Sequence, residues 1–203
     1  RPWAFSPYQE FLMLRFALPL LLALPLGAIG HDPKPKEEEA VDLFNGKDLT
    51  GWGYKGKDDK FESFDGKTES SDKRYSAKDG VLTVNDGKGL RQLWTAAKFS
   101  GDMEVTLEFR AGVNADSGLF LRNQPSQLQV RDYLVAGPYK SLKKYKPQDW
   151  NEVVVVVKGT TIRCTCNGEE LEQKLKLPDT GPIGLEADRG VMEYRKIRVK
   201  GLK

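Results

Sequence analysis

From Val81 onward the chain alternates apolar and polar residues in short runs: VLTV, GLRQLWT, MEVTLEFR, SGLFLR and QLQVRD, each closed by Gly, Asn or Asp. Alternation with a period of two over four to eight residues marks a half-buried strand. EVVVVVKG (152–159) is too rich in Val for a helix and has the length of a central strand. Val153, Val155 and Val157 face one way and Val154 and Val156 the other, so an interior place in a sheet is expected. TTIRCTCNG, LEQKLKL, GPIGLE and VMEYRKIRVK continue the series.

Upstream, VDLFNGKDLTGW turns at Asn45-Gly46, a strong tight-turn signal, and delivers Trp52. Residues 53–79 are dense in Lys, Asp, Ser and Gly around Phe61, Phe64 and Tyr75 and read as a long surface excursion. Residues 133–149 read as a second loop. Past the N-terminal apolar run, no window combines a sustained 3.6-residue period with helix caps. About ten or eleven short strands in one domain predict an all-β sandwich of two antiparallel sheets over 41–203.

Alternation also says which polar side chains share a face. Glu104, Thr106, Glu108 and Arg110 oppose Val105, Leu107 and Phe109. Phe120 and Arg122 oppose Leu119 and Leu121, and Gln127, Gln129 and Arg131 oppose Leu128 and Val130. Glu186 opposes Ile183 and Leu185. If these strands are neighbours, Glu108, Arg110, Phe120, Arg122, Gln129 and Glu186 meet on one polar surface. Amides, carboxylates and guanidinium with an aromatic suit a hydroxyl-rich ligand, and two carboxylates suit general acid and base. The competing reading is a solvated face whose charges pair across strands.

The N-terminus changes the picture outside the sandwich. From Met13 the order is one Arg, an apolar run and the small-x-small triplet Ala28-Ile29-Gly30, the layout of a secretory signal peptide over residues 1–30. Met13 is the expected true start. The run is shorter than the roughly 20 residues of a membrane span, and Pro19 and Pro25 interrupt it, so export is expected and not stable insertion. Residues 31–40, HDPKPKEEEA, follow as a charged linker.

Charge and cysteines exclude further classes. The chain carries 32 Lys and Arg against 29 Asp and Glu, scattered along its length, so no nucleic-acid footprint is present. Cys164 and Cys166 at i and i+2 share a strand face roughly 6.5–7 Å apart, and read as two small buried residues rather than a disulfide. One His, His31, and two Cys exclude a classical zinc site; no cofactor is expected. Calcium held by carboxylates and carbonyls stays open, without a loop motif for it.

LFNGKDLTGW, LWT, LEFR, NADSGLFLR, LQVRD, WNEVVVVVKG, CNG, GPIGLE and YRKIRVK stand in the order of one family. Over Val41 to about Leu202 the chain resembles the secreted bacterial 3-keto-disaccharide hydrolase domain, also described as a 3-keto-glucoside lyase/hydratase. The resemblance implies a concanavalin A-like jelly roll and a carbohydrate ligand, a glycoside oxidised to a ketone at C3. It implies a periplasmic or extracellular location. By match to the family's segments, Glu108 or Glu186 would be base or acid. Arg110 and Arg122 would hold the enolate or hydroxyls, and Gln129 and Asp132 would orient the sugar. Two departures stand out. Many members have Glu-x-Gln where this chain has Gln127-Leu128-Gln129, and Gln-Asp-His-Gly where it has Glu186-Ala187-Asp188-Arg189-Gly190. A non-catalytic, lectin-like sugar-binding module on the same fold is the alternative.

Overall fold

The computed structural model describes residues 39–56, 60–171 and 174–202. The expected signal peptide and residues 31–38 of the linker lie outside the described residues. Among the described residues no helix is long and apolar enough to cross a membrane.

The architecture is an antiparallel β-sandwich. An eight-stranded sheet runs β13 (Glu169–Leu171), β12 (Thr161–Cys166), β11 (Asn151–Lys158), β8 (Met103–Ala111), β16 (Met192–Gly201), β5 (Val81–Val84) and β4 (Tyr75–Lys78), with β1 (Val41–Asp42) also on β16. A six-stranded sheet runs β10 (Leu128–Arg131), β9 (Asp116–Phe120), β15 (Gly184–Ala187), β6 (Arg91–Thr95), β2 (Trp52–Lys55) and β3 (Phe61–Ser63). β7 (Phe99–Ser100) and β14 (Thr180–Gly181) form a small third sheet.

Alternation closes the core between the two large sheets. Val105, Leu107 and Phe109 of β8, the odd valines of β11 and Tyr194 of β16 are buried in one cluster with Trp52 of β2, Leu93 of β6, Leu119 of β9 and Leu185 of β15. Each such side chain contributes about 1.5–3 kcal/mol by leaving water. Hydroxyl groups tie the layers together as well. Tyr75 Oη donates to the Leu185 carbonyl at 2.8 Å. Tyr194 Oη and Ser117 Oγ lie 2.6 Å apart, and Ser117 Oγ donates to the Glu186 carbonyl.

β11 sits between β8 and β12, in the interior position its valines predict. Cys164 and Cys166 are buried free thiols, and burial pushes both up to about 12. The segment 53–79 departs from the expectation of a surface excursion. It supplies β2, β3 and β4, because Tyr54, Phe64 and Tyr75 turn inward and join the core. Segment 133–149 is a loop with one 3-10 turn at Pro138–Ser141, and its Tyr139 and Tyr145 pack on Phe109 at 5.8 and 6.2 Å between ring centroids.

Arg122 is a correction to the expected site. β9 ends at Phe120, and Arg122 and Asn123 take left-handed backbone with φ 52° and 61°, so the alternation that aimed Arg122 at the ligand face stops short of it. Its side chain is buried, with 1% exposure. Nη1 donates to the carbonyls of Gly159 (2.9 Å) and Pro178 (3.3 Å), and Nη2 to that of Gly101. One guanidinium thus satisfies three carbonyls from separate turns at one end of the sandwich. Replacing it leaves buried acceptors without donors, so Arg122→Leu is expected to cost about 3 kcal/mol and lower Tm by roughly 6–12 °C. An unchanged Tm in thermal unfolding would contradict this structural role.

Candidate functional site

The expected shared surface is not formed. Residues 112–115 carry the chain from β8, in one sheet, to β9, in the other, so outward side chains on the two strands point away from each other across the core. Glu108 and Arg110 lie on the outer face of the eight-stranded sheet; Phe120, Gln129 and Glu186 lie on that of the six-stranded sheet.

On the eight-stranded sheet, charges pair across strands. Glu108 is ion-paired with Arg195 (2.5 Å) and Lys196 (2.6 Å). Burial alone would lift its carboxyl, but hydrogen bonds from Lys196 and Arg195 outweigh this and hold it below the usual range. Arg110 pairs with Glu193, and the guanidinium groups of Arg110 and Arg195 lie 5.0 and 4.0 Å from the Trp150 ring centroid. Asp132 is also structural. Fully buried, it accepts from the Asn114 backbone N–H (2.9 Å), Tyr145 Oη (3.3 Å) and Gln148 Nε2 (3.2 Å), and so fixes the turn that leads into β9.

The six-stranded sheet gathers a different set. β15 pairs with β6 so that Gly184 faces Trp94 and Glu186 faces Gln92; it also pairs with β9, where Gly184 faces Phe120. β10 pairs with β9 so that Gln129 faces Gly118 and Arg131 faces Asp116. Two glycines make room on this face. A Cβ on Gly184 would lie 2.6 Å from the Trp94 ring, and one on Gly118 would lie 1.7 Å from Gln127 Oε1. Trp94 therefore lies over β15 against Phe120, with ring centroids 5.2 Å apart. Both rings are buried, yet neither belongs to the continuous core. Gln127 passes over Gly118, and its Oε1 is buried without a hydrogen-bond partner.

Electrostatics separates this carboxylate from the one on the opposite sheet. Glu186 is 6% exposed and its Oε2 has no hydrogen-bond partner. Burial pushes its carboxyl up, and the charges of Asp188 and Asp116 add to this against the Gln127 hydrogen bond and Arg131. Asp116 is likewise raised, first by burial and then by Asp188, although Arg131 and Arg189 oppose the shift. Arg131 Nε lies 3.2 Å from Asp116 Oδ1, an ion pair without hydrogen-bond alignment, and Arg131 Nη1 donates to the Ala136 carbonyl at 2.8 Å. Carboxyls raised by burial and by a neighbouring carboxylate are candidates for proton transfer.

Beside this group the face opens into two adjoining cavities. One, of about 390 Å³, is lined by Tyr54, Arg91, Gln92 and Trp94, among others. The other, of about 640 Å³, lies toward Lys60, Lys98 and Thr180. Lys55 and Asn123 line both, and the Lys55 ammonium donates to Asn123 Oδ1 and sits 3.6 Å from the Trp94 ring centroid. Both volumes fall within the range of small-molecule sites. Gln92, across the ladder from Glu186, links the smaller cavity to the carboxyl cluster. Among the described residues no group of three or more His, Cys, Asp or Glu is placed to hold a metal ion.

Alternation put Arg131 on one face with Gln127 and Gln129 but did not join it to the site, and Trp94, Lys55 and Asp116 were missed. The signal was present for Trp94, which alternates with Leu93. What the alternation lacked was the assignment of each strand to a sheet.

A family model described as the 3-keto-alpha-glucoside-1,2-lyase-like domain matches residues 39–200. Two crystal structures from Parabacteroides distasonis, each named as a candidate glycosyl hydrolase, are similar in fold. One has a TM-score of 0.59 at 16% identity, covering 81% of this chain and 94% of its own. The other has a TM-score of 0.59 at 19% identity, covering 81% of this chain and 100% of its own. No curated protein matches the chain.

The raised Glu186 carboxyl has a consequence for stability. The folded state keeps the proton to higher pH than the unfolded chain, so burial costs stability as pH rises from the ordinary value of 4.5 through the raised folded one. Glu186→Gln removes that cost. Its Tm relative to the unsubstituted protein is expected to be higher at pH 7.5 than at pH 4; an equal difference at both pH values would contradict a buried, raised carboxyl.

Proposed function

The chain belongs to the 3-keto-alpha-glucoside-1,2-lyase-like domain family, and on that premise we propose that the outer face of its six-stranded sheet binds and cleaves a glycoside oxidised to a ketone at C3. The observation that carries the reading is Glu186: a buried, raised carboxyl with Oε2 lacking a hydrogen-bond partner, in the field of Asp116 and Arg131. A C3 ketone acidifies the C2 proton, so a modest carboxylate base is enough to take it. The enolate then expels the C1 substituent, whose oxygen takes a proton from the acid. Water adding across C1 and C2 completes net hydrolysis.

In this reading Glu186 and Asp116 share the acid and base roles. Arg131 and the amides of Gln127 and Gln129 supply donors for the enolate oxygen and the hydroxyls. Trp94, backed by Phe120 and lining the smaller cavity, takes the C–H face of the sugar. Glu108 and Arg110, ion-paired on the opposite sheet, take no part. A binding-only reading has one observation in its favour, since Glu186 lies beneath Gln127 and lines neither cavity.

Release of reducing sugar from a 3-keto-disaccharide by the purified chain tests the proposal. Glu186→Gln is expected to lower kcat by about 10²–10⁴-fold, while Glu108→Gln keeps the normal rate. Sugar binding without turnover would replace the catalytic reading with the binding-only one. Turnover that depends on Glu108 and not on Glu186 would move the site to the other sheet.

A further inference from the structure

The larger cavity has a chemical character that cleavage of a neutral glycoside does not call for. Lys55, Lys60 and Lys98 all line it, and no Asp or Glu is among its described lining residues. None of the three ammonium groups forms an ion pair with a described residue, whereas Lys158 and Lys196 each hold a carboxylate. Lys55 is held in place, between Asn123 and the Trp94 ring, and so marks the point where the two cavities meet. Burial and the nearby charge of Lys98 push its ammonium below the ordinary range. The remaining wall offers Asn123, Thr180 and the Gly181 backbone.

We infer that this cavity is a subsite for an anionic substituent on the sugar ligand, a carboxylate or a sulfate or phosphate ester, held by Lys60 and Lys98 with Lys55 at its inner edge. The inference rests on the proposed glycoside site on the six-stranded sheet's outer face and deepens it. The acidic end of the face, at Glu186 and Asp116, is where the glycosidic bond reacts. The basic end, past Trp94, selects glycosides whose second sugar is charged. Lysine suits this task because its three donors rotate to meet a carboxylate or an ester oxygen of either geometry. An unpaired cluster also draws anionic ligands to the groove, an effect that salt weakens.

Calorimetric titration of the full chain with three unoxidised probes tests it: a glucosyl-glucuronate disaccharide, its methyl ester, and the 6-sulfate of the matching glucosyl-glucose. Lacking the ketone, the probes are not consumed by C2-proton abstraction. At low ionic strength the acid is expected to bind about tenfold more tightly than the ester, and the advantage shrinks as salt is added. The sulfate arm separates carboxylate from ester specificity, and preference for either anion over the methyl ester supports the subsite. Lys98→Gln is expected to remove most of the anion's advantage, roughly three- to tenfold, and to leave the methyl ester's affinity unchanged. Equal affinity for all three probes would overturn the anion subsite and leave the proposed glycoside site standing. Failure of all three to bind would overturn the anion subsite, while release of reducing sugar from a 3-keto-disaccharide decides the cleavage reading on its own.

Discussion

A strand in a two-sheet sandwich has one side committed to the core, and everything it offers a ligand must come from the other. That constraint decides which residues of this protein can cooperate. β8 and β9 are consecutive, and both carry polar side chains opposite apolar ones, but the chain changes sheets between them. The core filled by Leu107, Phe109, Leu119 and Leu185 therefore lies between Glu108 and Glu186. No rotamer change brings those two carboxylates to one substrate.

The two outer faces solve their polar content differently. On the eight-stranded sheet Glu108 and Arg110 are each ion-paired, and Trp150 is covered by two guanidinium groups. On the six-stranded sheet, Gly118 and Gly184 clear space so that Gln127 and Trp94 lie down over neighbouring strands. The same face keeps a carboxylate oxygen unsatisfied and two carboxyls raised. Buried polar atoms without partners are costly in a fold that otherwise satisfies them, and their gathering on one face, beside two cavities, is what distinguishes it.

Much of this was legible in the sequence. Most strands from Val81 onward, the interior place of β11, the buried cysteines and the outward parity of Glu108, Phe120, Gln129 and Glu186 follow from alternation. What alternation cannot carry is sheet membership, because the 112–115 connection reads the same whether it closes a hairpin or crosses between sheets. It also fails past the end of a strand. Arg122 lies two residues beyond Phe120 in left-handed backbone, where its long side chain reaches buried turn carbonyls instead of the face. Asp132 matched a family segment and proved to hold the turn at Asn114.

The tryptophans report directly on whether ligand binds the six-stranded sheet's outer face. Trp94 lies on that face, Trp150 on the opposite one, and Trp52 in the core with its indole N–H on the Leu43 carbonyl. Titration of the ¹⁵N-labelled protein with a glucosyl disaccharide, followed by the indole N–H resonances, is expected to move Trp94 and leave Trp52 and Trp150 in place. A shift confined to Trp150 would contradict the account and return the site to Glu108 and Arg110.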